Sequence, residues 1–418
     1  MLSKYIYIMT FVSIALSACT AVPKLSPTPT LYVEGTKYPA ENISPFNRSS
    51  SAELVYATDR VELVSGGFGT GRSRALKFGT VSVGFESDIG WDEIVSTSNE
   101  DGSRKGFELE VAGIAKVGNF PQTPLPFAVR NGRPEILPKA QAEQRKAIQK
   151  FRSLIRGKLK KSGGSEVTML VHGVNTEFNE AAFALTNVWH FAGRNGVPIL
   201  YSWPSGSGGV LGYFTDRESG EFTLFHFKQM MRVLADIPEV RDINIIAHSR
   251  GTDVVTTALR ELVIEARGGG KNPRKVLKVK NLILAAPDLD FGVVGQRLIA
   301  ERFAPAIGRI TVYTNRSDGA LRLSQRLMDG VRFGRLQNTA LNETERQIFK
   351  NVRNVDFVDV PQTSGLINHS YYATDPGALS DIALLLQTGA APGSATRPLT
   401  SRQQNFWSIP DGYPAKRP

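Results

Sequence analysis

Apolar and polar residues follow one another along this chain in two regimes. Over residues 53–60, 76–85 and 107–117 apolar side chains recur at every second position, the period of half-buried strands that would open a sheet in antiparallel fashion. From about residue 139 the character changes. Short apolar runs suited to buried strands (167–171, 198–203, 243–247, 276–286, 309–315 and 355–360) take turns with segments of helical period at 139–161, 177–192, a helix through Ala235, 251–268 and 376–387. Repeated strand–helix alternation predicts an α/β fold built on a mostly parallel, doubly wound sheet, with its chemistry at the carboxyl ends of the strands. The glycine-rich stretch 66–72 has no helical pattern behind it and no Gly-Lys-Ser/Thr, so it predicts a mobile loop and not a phosphate cradle.

The ends of the chain carry no such pattern. Lys4 precedes an apolar stretch over 5–16 that has signal-peptide length and is short for a bilayer span. It closes on Leu16-Ser17-Ala18-Cys19, which resembles a bacterial lipobox, in which the cysteine is lipidated and becomes the mature N-terminus. Cys19 is the one cysteine, so no intramolecular disulfide can form. Thr20 after it, by the same resemblance, implies the outer membrane facing the periplasm. Residues 1–18 therefore read as a lipoprotein signal peptide and 19–50, rich in Pro, Ser, Thr and Asn, as a flexible tether. Residues 51–388 read as one catalytic domain and 389–418 as a disordered tail.

Charge changes this picture in one place. The net charge of +11 arises largely in 139–161, where nine Lys/Arg face the single acid Glu143. Ile148, Phe151, Ile155 and Leu159 fall at helical spacing there, which predicts an amphipathic helix with a basic outer face. A solvated face is the plain reading; contact with anionic lipid headgroups is the alternative for an anchored protein. A chain routed out of the cytoplasm has no call on nucleic acid. The scattered histidines offer no metal-spaced cluster, and no cofactor motif is present.

The candidate chemistry lies at 242–251, Asp-Ile-Asn-Ile-Ile-Ala-His-Ser-Arg-Gly: a buried strand, a sharp turn bearing Ser249, then a helical pattern. That context makes a nucleophile elbow of a short serine motif, and the small residues Ala247 and Gly251 leave room for a strained serine. Ala247 stands where such elbows usually carry glycine. A serine hydroxyl needs a base, and the base needs a carboxylate behind it. Of five histidines, His190 and His226 fall in predicted helices, and His172 and His248 in turns already committed. His369, in the loop after the last core strand, remains. Asp318 follows the penultimate strand and is the first candidate acid, although Ser317-Asp318-Gly319 also reads as a helix N-cap; Asp288 is the alternative acid, with Asp290 and Asp359 behind it. Backbone N–H groups of Arg250 and Val174 are the expected oxyanion donors.

The segments Leu-Val-His-Gly-Val-Asn (170–175), Tyr-Ser-Trp-Pro-Ser (201–205), Tyr-Phe-Thr-Asp-Arg-Glu-Ser (213–219), Ala-His-Ser-Arg-Gly (247–251), Ala-Ala-Pro-Asp-Leu-Asp (285–290), the 315–321 turn and Asn-His-Ser-Tyr (368–371) together resemble, over roughly 54–369, the bacterial alpha/beta-hydrolase family of esterase/lipase-like proteins of unknown function. The resemblance implies Ser249, Asp318 and His369 as a triad. It implies the reaction class and no substrate; the triad itself is read as a serine hydrolase of carboxylic esters, from a small molecule or a lipid, working through an acyl-enzyme without cofactor or metal. Arg250 stands where that family is expected to have methionine, and a cation there would change substrate preference or favour an anionic group. Residues 205–221, mixing glycine with Val210, Leu211, Tyr213 and Phe214, are expected to cap the acyl pocket. A thioesterase or peptidase would use the same triad, and a silent envelope scaffold would keep the fold without the activity.

Overall fold

The computed structural model describes residues 23–86, 89–100, 106–336, 341, 343–361 and 369–414. The expected signal peptide, Cys19 and Asn368 lie outside them. Among them eleven strands form one sheet, in the order β12 (Thr400–Gln403), β13 (Phe406–Ser408), β11 (Val355–Asp359), β10 (Arg309–Thr314), β9 (Val279–Ala285), β8 (Asp242–His248), β6 (Glu166–Val171), β7 (Val197–Ser202), β1 (Ser51–Glu62), β2 (Phe68–Phe85) and β3 (Leu109–Asn119), and β4 (Phe127–Arg130) and β5 (Arg133–Ile136) form a separate hairpin. Strands β1 (Ser51–Glu62), β2 (Phe68–Phe85) and β3 (Leu109–Asn119) are the antiparallel start read from the alternation. β6 (Glu166–Val171), β7 (Val197–Ser202), β8 (Asp242–His248), β9 (Val279–Ala285), β10 (Arg309–Thr314) and β11 (Val355–Asp359) are parallel neighbours. Their near-continuous burial follows from helices on both faces, which leaves no solvated side to favour alternation.

Chain order reverses at β6, which pairs with β7 on one side and β8 on the other. The crevice at the carboxyl ends of β6 and β8 is the topological switch point, where ligands bind in open α/β sheets. Val171 pairs with Ala247, so the turns carrying Gly173 and Ser249 emerge side by side.

The basic helix spans Pro138–Ser162 and seals one face near β1–β3. Its buried Phe151 meets Phe78 edge-on at 5.3 Å and Phe120 at 6.2 Å. The elbow helix, Gly251–Gly268, and a long helix, Gly209–Ala235, cover the same face further along. The helices Phe178–Phe191 and Pro376–Thr388 pack on the other.

Several expectations give way. The segment 66–72 is not a loop throughout, because β2 already begins at Phe68 and Arg72 faces Arg60 across the strand pair. Residues 273–277 form a short helix, started by Pro273 with the Asn272 side chain as its cap, so the strand expected from 276 begins only at Val279. The tether does not hold from residue 23 onward: Leu25, Leu31, Tyr32, Tyr38 and Ile43 are buried, and the Tyr32 hydroxyl donates to the Phe191 carbonyl at 2.6 Å. The tail is ordered through residue 414. It adds β12 (Thr400–Gln403) and β13 (Phe406–Ser408) to the sheet, and Phe406 stacks on Phe357 at 4.6 Å. Arg397, fully buried, grips Asp381 with two bonds of 2.6 and 2.8 Å, and Tyr413 donates to the same carboxylate. A few well-spaced anchors hold both ends where composition suggested solvated chain.

Candidate active site

Ser249 follows β8 directly and has φ +51°, the left-handed region that a side chain enters only when its surroundings enforce it. The enforcement comes from two glycines. A Cβ on Gly251 would sit 2.3 Å from the His172 carbonyl oxygen, and one on Gly173 would sit 2.8 Å from the Ser249 Cβ. Only glycine at both lets the β6 turn and the elbow close on each other. The Ser249 N–H donates to the Ala285 carbonyl at 2.9 Å, which pins the elbow to β9.

His369 Nδ1 lies 2.7 Å from Asp318 Oδ2. A carboxylate only accepts, so the imidazole carries its proton on Nδ1 and leaves Nε2 as an acceptor. Asp318 serves both readings made of it: Oδ1 caps the helix Gly319–Met328 by accepting the Leu321 N–H at 3.0 Å, while Oδ2 holds the histidine. The cap fixes the carboxylate's rotation. The side chain of Asp318 is completely buried, and that of His369 is 18 % exposed.

Asp288 does not reach His369. Its carboxylate takes the Ser324 hydroxyl at 2.7 Å and the Tyr213 hydroxyl at 2.8 Å, with Arg332 at 3.8 Å. Asp290 caps a short helix instead, and Asp359 is exposed at the end of β11.

No hydrogen bond joins the Ser249 hydroxyl to His369 among the described residues. His369 packs instead on His248, the residue before Ser249: the two rings lie 4.8 Å apart, and the His248 Nε2–H donates to the His369 carbonyl at 3.1 Å. Loose serine–histidine contacts are common without substrate. Neither the Val174 nor the Arg250 N–H donates to a protein acceptor among the described residues. The second heads the elbow helix, whose dipole adds positive potential there.

The turn that presents Val174 rests on residues the sequence reading did not assign. Asp216, buried, accepts the Asn175 N–H at 2.8 Å, the Gly206 N–H at 3.1 Å and the Ser207 N–H at 3.3 Å. Arg60, fully buried, donates to the Thr176 carbonyl at 2.7 Å and to the Ser205 carbonyl at 2.8 Å. Burial pulls its pKa down to about 10, so it remains a cation at neutral pH beneath the turn. His172 stacks on Trp203 at 5.3 Å and accepts from Arg60. The only hint was position: Asp216 sits inside the 213–219 motif, and Arg60 ends the first strand.

Arg250 is engaged within its own turn. Its guanidinium pairs with Asp253 at 2.7 Å and donates to the Asp288 carbonyl at 3.3 Å, so its charge is spent locally and the expected preference for an anionic group loses its basis. His226 bonds Asp59 at 2.8 Å and His190 bonds Arg194 at 3.0 Å, both away from Ser249. Among the described residues no group of three His, Cys, Asp or Glu side chains is placed to share a metal ion.

The model of a family described as an alpha/beta hydrolase of unknown function (DUF900) matches residues 147–387. The chain belongs to that family. A comparison with curated proteins and with solved structures found no match. The matched span of this alpha/beta hydrolase runs from the basic helix through the helix after His369 and includes Ser249, Asp318 and His369, together with the turn at Val174. It excludes Arg60, which reaches that turn from β1.

Burial holds three histidines neutral. His172 and His190 are pushed well below their ordinary value by loss of water, and His248 falls to about 3, chiefly through burial. The unfolded chain binds protons at these positions below about pH 6.5 while the folded chain does not, so folding stability present above that pH falls as the solution is acidified. We expect the unfolding free energy obtained from urea titrations to fall between pH 7 and 5, by up to about 1.4 kcal/mol per pH unit for each histidine. A flat profile over that range contradicts the neutral assignment.

Proposed function

We propose that the chain is a serine hydrolase of carboxylic esters, held in the cell envelope by acylation of Cys19. Ser249 attacks the ester carbonyl as His369 Nε2 takes its proton, and Asp318 orients the imidazole and offsets the charge it gains. The N–H groups of Val174 and Arg250 receive the oxyanion, and each such donor contributes roughly 3 kcal/mol to barrier lowering. The imidazolium then protonates the departing alcohol, and water repeats the sequence on the acyl-enzyme. The observation that carries this reading is the strained serine at the head of the elbow helix, with two undonated amides beside it and the His369–Asp318 pair alongside. Residues 205–221 cap the acyl pocket in this account. Support for that role comes from Tyr213, which ties their helix to Asp288 beside the site.

Matched aryl ester, thioester and anilide substrates of short acyl chain test the reaction class. The ester is expected to be cleaved with the highest kcat/KM. Preference for the thioester or anilide would reassign the class while keeping the nucleophile, and inertness toward all three would favour the scaffold. Anchoring is supported by the lipobox-like 16–19 segment. Labelled palmitate should enter the protein in a bacterial host and be lost in Cys19→Ser; labelling that persists in the variant removes the anchor assignment.

A further inference from the structure

β4 (Phe127–Arg130) and β5 (Arg133–Ile136) stand outside the main sheet as a two-stranded hairpin turned by Asn131 and Gly132, both at positive φ. Such hairpins are marginal in water without something against one face. The register pairs Phe127 with Ile136 and Val129 with Pro134, so these four side chains share a face. That face is bare: Phe127 is 56 % and Val129 67 % exposed.

The hairpin runs into the basic helix without a linker. The Leu137 N–H closes its base on the Pro126 carbonyl at 2.9 Å, and Leu137 is the residue before the helix. Along that helix Arg152, Arg156 and Lys158 are paired with Asp236, Glu239 and Glu53. Lys139, Lys146, Lys150 and Lys160 have no acidic partner among the described residues and are exposed. At 3.6 residues per turn these four fall within an arc of about 80°, opposite the buried Phe151–Ile155–Leu159 stripe. Lys146 and Lys150, with Glu143, also line a shallow cleft of about 250 Å³ against Gly118, Asn119 and Pro121.

We propose that the hairpin face and the lysine stripe together dock the protein on an anionic lipid surface: Phe127, Val129 and Ile136 enter the interfacial layer while the lysines meet headgroup phosphates. Apolar insertion beside an unpaired row of cations is the combination that lipid surfaces of negative charge select. A purely solvated helix face accounts for the lysines but not for the bare apolar face that leads into them. The docking is independent of Cys19 and of the chemistry at Ser249.

The chain from Thr20 to Pro418, which keeps every described residue and lacks the acylation site, should cosediment with phosphatidylcholine vesicles containing phosphatidylglycerol and hardly with phosphatidylcholine alone. K146E/K150E and, separately, F127S/V129S should each weaken binding at least about tenfold while leaving the thermal unfolding midpoint unchanged. Added salt should weaken binding as well. Equal binding to both vesicle types, no binding to either, or wild-type binding by either variant would overturn the proposal. So would loss of binding to inorganic phosphate at matched ionic strength, which would mark a site for free anions. Self-association without vesicles that F127S/V129S abolishes would assign the face to a second copy and overturn it too.

Discussion

Ser249→Ala should lower kcat/KM for an aryl ester by about 10³-fold or more. The hydroxyl is the atom that forms the acyl bond, and no other group at the elbow can replace it, so the loss is a loss of mechanism and not of binding. What rate remains comes from the oxyanion amides and from holding the substrate near water. The variant should fold normally. Ser249 makes no side-chain hydrogen bond among the described residues, and alanine keeps the Cβ that packs against Gly173. A thermal midpoint matching the parent, measured alongside the kinetics, separates a chemical effect from a collapsed elbow. Activity within tenfold of the parent would place the nucleophile elsewhere.

Asp318→Asn should cost about 10³- to 10⁴-fold in kcat. Asparagine still caps the helix at Leu321, so the local structure persists. Its amide cannot stabilise the imidazolium, and its N–H₂ facing Nδ1 would force the proton onto Nε2, where a base needs a lone pair. Asp288→Asn is the matched control. It keeps the shape beside Tyr213 and Ser324 but touches no atom of His369, so its effect should stay below about tenfold. Equal losses in the two variants would mean that the carboxylates act as one network, and a larger loss in Asp288→Asn would invert the assignment.

The sheet and the elbow were legible because their signals are local. A run of buried aliphatics, a serine between small residues and a helical period all fall within twenty-seven consecutive positions, 242–268. His369 was reachable by elimination, since five histidines leave few choices and the loop after the last core strand is the place for one. Asp318 could not be separated from Asp288 on residues alone, because both follow strands whose carboxyl ends face the site. The distinction lies in which side chain the Asp288 carboxylate already holds, and Tyr213 arrives from 75 positions away.

Arg60 and Asp216 were missed for the same physical reason. Their partners lie up to 145 residues distant, and a lone buried charge has no periodicity by which to announce itself. The two ends misled through composition. Proline and serine in 23–50 and 389–414 suggested solvated chain, yet five apolar anchors at one end and the Arg397–Asp381 grip at the other are enough to bind them down. The hairpin was different: Asn131-Gly132 is a strong turn signal, but the arms on either side, Phe127–Arg130 and Arg133–Ile136, have four residues each and are too short to show a period.

The most direct measurement is covalent. A fluorophosphonate should label the intact protein stoichiometrically, and after tryptic digestion the added mass should lie on Ser249 within the peptide Asp242–Arg250. No adduct on the folded protein, or an adduct on a different residue, would contradict the claim that this serine is an activated nucleophile.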